Sequence, residues 1–487
     1  MSPLKSFQPA TDHLDLGEAF FTPVQPADFP QTVLRYANYA WADRVGLEGL
    51  SEADWVSHFG RFQPLPGSLP NPLALKYHGH QFQHYNPDLG DGRGFLFAQL
   101  REPGSGRLMD MGTKGSGQTP FSRAGDGRLT LKGGVREVLA TTRLEALGVN
   151  TSKTFALIET GEALYRGDEP SPTRSSVMTR LSHGHIRIGS FQRPYFLQEQ
   201  DNLQALIAYA CRTYAPAIYQ AAYVDEGGAG AVMAAPLFLR WVGQNCANTV
   251  ADWFAAGFVH GVLNTDNINI TGESFDYGPY RFLEQMDPNK VAAYFDHSGL
   301  YAFGRQPEAV FWNLQQLAGA LVTLSDQDAI IEALRSYNDT LSQAVESRLF
   351  QRLGLASSGR PETDQPFLQN LLATLRSSRA PLDDTLHRAF GGREWPQGDA
   401  WADVRARAGD FQPVDRRQLD QPYFQSSHAT TLAYDEIEAL WEPIAEQDDW
   451  SQFEAKLAQT ETMAQAYGFS PISADDGSLA LQSAQSG

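Results

Sequence analysis

The stretch HGVLNTDNINITGESFDYGP, residues 260–279, decides how this chain is interpreted. It begins with His260 and carries the amide Asn267 and the carboxylate Asp276, with Gly278 in the turn that follows. Amide and carboxylate oxygens are ligands that Mg²⁺ accepts, and it keeps several more positions for phosphate or water. The stretch therefore predicts a loop that binds a metal ion and a nucleotide. An Asx-turn at Asn267 and an ordinary loop aspartate at Asp276 remain the alternative.

The same spacing matches the catalytic loop of protein kinases, which runs His-Arg-Asp-Leu-x-x-x-Asn before a downstream Asp-Phe-Gly. His260, Leu263 and Asn267 fall on the first, fourth and eighth positions, and residues 276–278 read Asp-Tyr-Gly. The catalytic aspartate, however, falls on Val262, which cannot accept a proton. The pattern predicts a kinase-like site whose base either is missing or lies elsewhere.

A replacement base is available one residue before the predicted metal ligand. Asp266 is the carboxylate nearest in sequence to Asn267, and Glu273 is a weaker candidate in the loop beyond. A nearby metal ion would favour the ionised form of Asp266, which is the form a general base needs. We therefore expect Asp266 to be the base, with a turn or helix-cap role as the alternative.

Composition and charge limit the class of protein. The chain has 487 residues, of which 42% are hydrophobic and 20% charged, as in ordinary globular proteins. Lys and Arg number 38 against 57 Asp and Glu, a net charge of −19. This excess of acid argues against nucleic acid as a partner. The sequence contains no run of 18 apolar residues, so no membrane span is predicted.

The cellular location is predicted from cysteine content and the N-terminal residues. Cys211 and Cys246 are the two cysteines, too few for a disulfide framework, and we expect both to be buried thiols. The first twenty residues carry Asp12, Asp15 and Glu18 without a basic-then-apolar signal pattern. We therefore expect a cytoplasmic protein.

The pattern along the chain predicts an α+β protein. The first 70 or so residues are Pro-rich and irregular, with one helical stretch around TVLRYANYAWADRVGL, and a helix is expected from Gly134 to Leu147. Beyond about residue 200 the pattern is mostly helical, and the tail after Ser470 is expected to fray. Strands are predicted at FLFAQL (95–100), RLMDM (107–111), TFALIE (154–159) and SVMTRL (176–181).

These elements suggest a two-lobed organisation with the chemistry at the junction. We expect an N-terminal extension over 1–85 and a glycine-rich, strand-rich nucleotide-binding region over 86–195. A helical region over 196–487 follows, and it contains the metal and catalytic loop and a C-terminal extension. The predicted fold class is a bilobal protein-kinase-like α+β fold with extensions at both ends.

Two glycine-rich turns are candidates for phosphate binding. Gly90-Asp91-Gly92-Arg93-Gly94 and Gly125-Asp126-Gly127-Arg128 each place an arginine beside the turn. Glycine lets backbone N–H groups approach a phosphate, and arginine binds phosphate through two parallel hydrogen bonds. Neither turn has the spacing of a Walker or dinucleotide-binding motif, and a simple tight turn remains the alternative.

Four further charged residues are candidates for the same site. Lys114 follows the second glycine-region strand and Glu137 lies on the next helix, as in the lysine–glutamate pair of kinases. Arg180 and Arg187 could bind phosphate groups. A surface lysine and surface salt bridges are the alternatives for these residues.

Taken together, these motifs resemble the selenoprotein O family, a pseudokinase lineage with many bacterial members. The resemblance covers residues 70–310 most strongly. It is carried by YHGHQFQHYNPDLGDGRG, KGSGQTPFSRAGDGR, VREVLATTRLEALGVNTSKT, SHGHIRIGSF and GFVHGVLNTDNINITGESFDYGPY. The resemblance implies a kinase-like fold that transfers AMP, rather than the γ-phosphoryl group, from ATP to Ser, Thr or Tyr hydroxyls of proteins. It also implies a nucleotide that lies flipped relative to its position in kinases.

The resemblance assigns roles to individual residues. It implies that Asp266 is the base and that Asn267 and Asp276 bind Mg²⁺ or Mn²⁺. The residues implied to contact ATP are Gly90, Gly92, Arg93, Lys114, Asp126, Gly127, Glu137, Arg180, Arg187 and Asp276. The tail ADDGSLALQSAQSG lacks the cysteine or selenocysteine that many relatives carry, so redox regulation through that position is not expected.

Three other functions remain open at this stage. These are uridylyl transfer from UTP, true phosphoryl transfer with Asp266 as base, and a non-catalytic nucleotide-binding scaffold. The combination of Lys114, Glu137, Asn267 and Asp276 favours an enzyme, because a scaffold does not need a metal-ready pair. Protein substrates are the expected partners, and a monomer is assumed because the sequence does not indicate an oligomeric state.

Overall fold

An antiparallel sheet organises the first half of the chain in the computed structural model, which describes residues 6–167, 169–225, 227–469 and 475–485. The strands are β1 (Gln8–Ala10), β2 (Phe21–Pro23), β3 (Val33–Ala37), β4 (Leu73–Leu75), β5 (Gly79–Gln81), β6 (His84–Asn86), β7 (Leu96–Arg101), β8 (Leu108–Lys114), β9 (Leu129–Thr130), β10 (Lys153–Leu164), β11 (Thr173–Ser182), β12 (Phe258–Val259) and β13 (Arg281–Phe282). Within these described ranges, nine strands form one sheet in the order β2-β4-β7-β8-β11-β10-β3, with β1 on β7 and β9 on β11. The predicted strands at 95–100, 107–111, 154–159 and 176–181 are confirmed as the neighbours β7, β8, β10 and β11.

Helices pack on both faces of the sheet and form most of the second half of the chain. They are α1 (Tyr39–Arg44), α2 (Glu52–Phe59), α3 (Leu131–Ala146), α4 (Ile188–Phe196), α5 (Gln200–Tyr214), α6 (Pro216–Tyr219), α7 (Ala231–Ala256), α8 (Gln306–Leu321), α9 (Gln327–Leu353), α10 (Pro361–Ser378), α11 (Leu382–Ala389), α12 (Ala402–Ala408), α13 (Pro422–Gln425), α14 (Tyr434–Gln447), α15 (Ser451–Tyr467) and α16 (Ser478–Gln485). The predicted mixed α and β class is confirmed, with a large antiparallel sheet as its β component.

The sheet is buried on both faces, which explains its apolar strands. Leu157 of β10 and Met178 of β11 belong to the core that contains α3. Phe155 and Val177, on the same two strands, belong to a second core with Trp55 of α2. Because side chains alternate along a strand, the two strands supply both cores at once.

Helix α3 begins where a threonine caps it. The Thr130 side chain accepts a hydrogen bond from the backbone N–H of Gly133 at 3.1 Å. This cap satisfies one of the free N–H groups at the helix start, so the helix begins at Leu131, three residues before the predicted Gly134. The predicted helix is therefore confirmed with an earlier start.

The helical prediction for residues 32–47 was wrong in its first half. Val33–Ala37 forms β3, which pairs antiparallel with β10 at the edge of the sheet. Asn38 then caps the short helix α1 by accepting from the N–H of Trp41. Backbone pairing with an open sheet edge outweighed the local helical pattern. The first 70 residues are also less irregular than expected, because β1, β2 and β3 all join the main sheet.

The C-terminal half binds α3 from the side opposite the sheet. Arg143 of α3 donates to Asp383 Oδ2 at 2.6 Å and to the carbonyl of Thr430 at 2.5 Å. Arg352 of α9 donates to Asp383 Oδ1 at 3.0 Å and also contacts the hydroxyl of Tyr467. This scaffold group, defined as Arg143, Arg352, Asp383 and Tyr467, connects α3 to three distant segments of the chain.

The expected fraying of the tail is wrong for its helical part. Ser478–Gln485 forms α16, whose Ala480 is fully buried. The preceding segment is bound by the indole N–H of Trp241, which donates to the carbonyl of Asp475 at 3.0 Å. Residues 470–474 and 486–487 of the predicted tail lie outside the described residues.

Two further expectations concern the thiols and the membrane. Cys211 and Cys246 are free and buried, and burial raises the pKa of both thiols, that of Cys246 to about 12. Across the described ranges, every helix is too short or too polar to cross a membrane.

Candidate functional site

A cavity of about 680 Å³ opens where the glycine-rich turns meet the loop 260–279. Its volume is in the range of ligand pockets in proteins. The residues of the sequence prediction that line it are Gly90, Gly92, Arg93, Lys114, Asp126, Gly127, Arg180, Arg187, Asp266, Asn267 and Asp276. Glu137 is the remaining one, and it lies directly behind Lys114. Segments almost 200 residues apart in sequence therefore meet around one cavity.

The inner wall of the cavity carries a buried group of charges. Lys114, at the end of β8, contacts Glu137 of α3 and lies 2.9 Å from Asp276 Oδ1. Arg180 of β11 lies 3.3 Å from the same oxygen. We call Lys114, Glu137, Arg180 and Asp276 the pocket group. Its two cations and two anions balance each other.

Strand register places Arg180 at this wall. Arg180 of β11 is paired with Gly112 of β8, two residues before Lys114. Gly112 has no side chain, and the ring of His185 occupies the space where one would lie. The neighbouring strands therefore present Lys114 and Arg180 to the same end of the cavity.

Asp276 lies in a turn whose backbone conformation suits an aspartate. Its φ is +65°, in the left-handed region that aspartate tolerates better than most residues. The loop is fixed by His260, whose Nε2 is 2.9 Å from the carbonyl oxygen of Phe275. Burial by itself would raise the pKa of Asp276, but Lys114 and Arg180 hold it well below its usual value. Asp276 is therefore an anion at neutral pH.

Asn267 offers a second oxygen close to the same space. It ends a single 3-10 turn, Thr265–Asn267, and its Nδ2 donates to the carbonyl of Val262 at 3.1 Å. With the amide nitrogen held in this way, Oδ1 is the atom left to act as a ligand. The position that the kinase pattern would give to a base, Val262, thus contributes its backbone to orienting Asn267.

Asp266 is almost completely buried at the edge of the cavity, with 8% of its surface exposed. Burial raises its pKa to about 6, and the charge of Arg187 opposes that increase. Its Oδ1 has no hydrogen-bond partner within the described part of the chain. Glu273, the weaker candidate base, is not among the cavity-lining residues and instead accepts from the N–H of His183 at 2.6 Å.

A glycine makes room for the Asp266 carboxylate. A Cβ atom on Gly79 would lie 3.2 Å from Asp266 Oδ1 and 3.1 Å from Thr265 Oγ1. The neighbouring N–H of His80 donates to that Thr265 hydroxyl at 2.7 Å. The β5–β6 hairpin therefore packs closely on the loop of Asp266, and Gly79 is a residue that sequence reasoning missed.

Arg187 is held by residues that the sequence prediction also missed. It donates to Tyr77 Oη at 2.9 Å, to the carbonyl of Asp266 at 3.2 Å and to Asp91 Oδ1 at 3.2 Å. Asp91 stands between Gly90 and Gly92, so its place inside a candidate motif was the signal that could have identified it. Tyr77 gave no comparable signal.

The glycines of the two turns are required by close backbone contacts. A Cβ on Gly90 would lie 2.4 Å from the ring of Phe121, and one on Gly127 would lie 2.2 Å from the carbonyl oxygen of Gly117. Gly127 also has a φ of +69°. Arg128 is paired with Glu162 through two hydrogen bonds of 2.7 and 3.0 Å, so it supports the turn rather than facing the cavity unpaired.

The donor set fits a cation that is shared with a phosphate ligand. In the part of the chain that the structure describes, no cluster of three or more His, Cys, Asp or Glu side chains could hold a metal ion. Asn267 and Asp276 offer one amide and one carboxylate oxygen at the cavity. Mg²⁺ is commonly bound in this way, by one or two protein oxygens with substrate phosphates and water completing its shell.

Comparison with known proteins identifies the family of the chain. Residues 4–391 match the family described as "Protein adenylyltransferase SelO". A protein of Synechocystis sp., named "Protein nucleotidyltransferase YdiU", is 40% identical over 475 residues, which are 92% of this chain and 96% of that protein. Proteins of the same name are similar in Trichormus variabilis (40% identity, 92% of this chain and 94% of the relative) and Vibrio cholerae (36% identity, 74% and 71%). The chain therefore belongs to the SelO family, and it is a protein nucleotidyltransferase.

Proposed function

We propose that this protein transfers AMP from ATP to a Ser, Thr or Tyr hydroxyl of a protein substrate. The observation that supports this most directly is the arrangement of one cavity. Its inner wall carries Lys114, Arg180 and Arg187, and its edge carries the buried carboxylate Asp266 with one unbonded oxygen. Such an arrangement suits a polyanionic nucleotide with an acceptor hydroxyl at the carboxylate.

In the proposed reaction, the acceptor oxygen attacks the α-phosphorus of ATP and its proton passes to Asp266. The bond between the α-phosphorus and the bridging oxygen to the β-phosphate breaks, and diphosphate leaves. Lys114, Arg180 and Arg187 are the cations available to the phosphate groups. Asn267 and Asp276 would hold Mg²⁺ or Mn²⁺, which supplies further charge neutralisation when bound.

The choice of AMP is supported by the description of the matching family, whereas the relatives are named only as nucleotidyltransferases. We further propose that the sheet-rich region 86–195 and the helical region 196–487 correspond to the two lobes of a kinase-like fold, with 1–85 as an extension. The kinase-like spacing of His260, Asn267 and Asp276 supports this correspondence. In this proposal the nucleotide is flipped, so that its α-phosphate faces Asp266.

Labelled nucleotides test the reaction. The protein is incubated with Mg²⁺ or Mn²⁺ and with ATP labelled at either the α- or the γ-phosphate, or with α-labelled UTP, and a bacterial protein extract supplies acceptors. We expect label from α-labelled ATP on protein and none from γ-labelled ATP. Transfer of γ-label alone would establish a kinase instead, and preferential transfer from UTP would establish uridylyl transfer.

A further inference from the structure

The cations on the inner wall of the cavity are already paired. Lys114 contacts Glu137 and Asp276, Arg180 contacts Asp276, and Arg187 contacts Asp91. Arg93 also lines the cavity and is exposed without an ion pair in the described part of the chain. Its single charge is small beside that of a nucleoside triphosphate, which carries about four negative charges near neutral pH. An additional cation on the solvent-exposed side of the cavity, which we call the outer wall, would offset part of that charge.

Arg123 is a cation of that kind. It lines the cavity and is exposed, and its side chain has no hydrogen bond or ion pair with any residue in the described ranges. By contrast, two other arginines at the cavity are paired: Arg128, later in the same segment, with Glu162, and Arg166, from the connection between β10 and β11, with Asp126. Arg123 is therefore free to bind a ligand that enters the cavity.

The backbone at Arg123 is held in an uncommon conformation. Its φ is +53°, in the left-handed region where residues with a Cβ are rare. Such conformations cost free energy and persist where the surrounding structure fixes them, often at functional sites. The residue is an arginine at a position whose backbone geometry favours glycine.

The loop that carries Arg123 is bound to the other glycine-rich turn. Thr119 Oγ1 donates to the carbonyl of Asp91 at 2.5 Å, and the Ser122 hydroxyl donates to the carbonyl of Gly92. The ring of Phe121 lies against Gly90. These contacts fix the loop on both sides of Phe121, so that the next residue but one, Arg123, lies at the cavity. The charge of Arg123 is also felt at Asp266, whose pKa it lowers in opposition to the larger effect of burial.

We propose that Arg123 binds the phosphate chain of the bound nucleoside triphosphate from the outer wall of the cavity. The proposal rests on the proposed function, because it requires a nucleotide in this cavity. The guanidinium fork suits a phosphate group, with which it forms two parallel charge-assisted hydrogen bonds. Arg123 therefore adds its charge to those of Lys114 and Arg180, which line the same cavity.

The test measures the binding of ATP and of adenosine, each with Mg²⁺, by isothermal titration calorimetry. Arg123→Gln removes the charge and keeps a polar, shorter side chain, whereas Arg123→Lys keeps the charge. We expect the Kd for ATP to rise about tenfold in Arg123→Gln and much less in Arg123→Lys. The Kd for adenosine should stay unchanged in both variants.

Arg335→Gln provides the matched control. Arg335 lies on α9 with 73% of its side chain exposed, and it pairs with Glu332 far in sequence from the cavity-lining residues. We expect this variant to bind ATP as the unaltered protein does. Thermal unfolding of all variants checks that the loop substitution leaves the fold intact.

Each remaining outcome overturns the proposal in a distinct way. An unchanged Kd for ATP in Arg123→Gln would exclude a phosphate contact. An equal loss of ATP and adenosine binding would mean that Arg123 supports the loop rather than the phosphates. If the unaltered protein bound neither ATP nor UTP, the proposed function itself would fall, and the role of Arg123 with it.

Discussion

Two buried groups of charged residues each include one residue of α3, and the groups differ in what surrounds them. The pocket group joins Glu137 of α3 to Lys114, Arg180 and Asp276, and it borders a cavity of about 680 Å³. The scaffold group joins Arg143 of the same helix to Arg352, Asp383 and Tyr467. None of the four scaffold residues lines that cavity. Both groups therefore contain a largely buried charge that is contributed by the same helix.

The comparison shows that burial of charge alone does not identify a functional site. In the scaffold group the side chains of Arg143 and Arg352 are only 1% and 3% exposed, as deeply buried as those of Lys114 and Glu137 at 5% and 2%. The difference is that the Asp276 side chain is 25% exposed and lines the cavity, whereas that of Asp383 is 11% exposed and does not line it. Both groups contain buried side-chain nitrogens without a hydrogen-bond partner in the described residues, so that feature does not separate them. A buried group of charges that borders a cavity is the feature that indicates ligand binding.

The largest effect is expected when the base is removed. Asp266→Asn keeps the shape of the side chain but cannot accept the proton, so the turnover number should fall about 10²- to 10⁴-fold. The thermal unfolding temperature should not decrease, because Asp266 Oδ1 makes no hydrogen bond that the amide would lose. Steady-state transfer of α-label and a thermal melt measure the two quantities. Full turnover by the variant would exclude Asp266 as the base.

The scaffold group should show the opposite response. Asp383→Ala leaves Arg143 and Arg352 buried without their carboxylate, which should lower the free energy of unfolding by about 3–5 kcal/mol. The Kd for ATP of the folded protein should change little, since Asp383 does not line the cavity. Urea unfolding provides the measurement, and Asp339→Ala at an exposed position of α9 is the control. Equal stability of the two variants would contradict a structural role for Asp383.

A smaller loss is expected when one member of the pocket group is neutralised. Glu137→Gln weakens the hold on Lys114, which still has Asp276 at 2.9 Å. The loss of one charge-assisted hydrogen bond should lower kcat/KM about 10- to 100-fold. Glu332→Gln on the surface of α9 is the matched control and should leave kcat/KM unchanged. If Glu137→Gln matched that control, the pair would not position Lys114 for the reaction.

The smallest effect is expected at the partly exposed contact between α3 and α14. Lys132 Nζ lies 2.6 Å from Glu438, with 17% and 35% of the two side chains exposed. Removal of this partly exposed pair by Lys132→Ala should lower the free energy of unfolding by about 1 kcal/mol or less. The loss should diminish further at high salt, which urea unfolding at two ionic strengths would reveal. A loss as large as that of Asp383→Ala would place this pair in the scaffold group.

Much of the candidate site could be predicted because its signals are local. His260, Asn267 and Asp276 lie within one short stretch of the chain, so their spacing can be recognised without knowledge of the fold. The strands β7 and β8 were likewise recognisable, since their apolar runs are bounded by glycine-rich turns. Local sequence thus carried both the loop chemistry and the central strands.

Other features could not be predicted because they depend on contacts between distant segments. The strand β3 formed from a stretch with a helical pattern, since the edge of β10 offered backbone partners more than 100 residues away. Arg187 binds Asp91 and Tyr77 from segments about 100 residues earlier in the chain. No motif spacing connects Arg187 to either partner, so the sequence does not identify these contacts.

The sequence by itself determined which chemical groups are present, namely the metal-ligand oxygens, the glycine turns and the lysine–glutamate pair of a nucleotide site. Only the tertiary structure decided which of these groups are free to act. It buried Asp266, which raises the pKa of that carboxyl to about 6, and it paired Arg128 with Glu162 while leaving Arg123 unpaired at the cavity. The physical reason is that residue type and local turn geometry are set by neighbours in the chain. Desolvation and ion pairing, in contrast, are set by whichever segments the fold brings together.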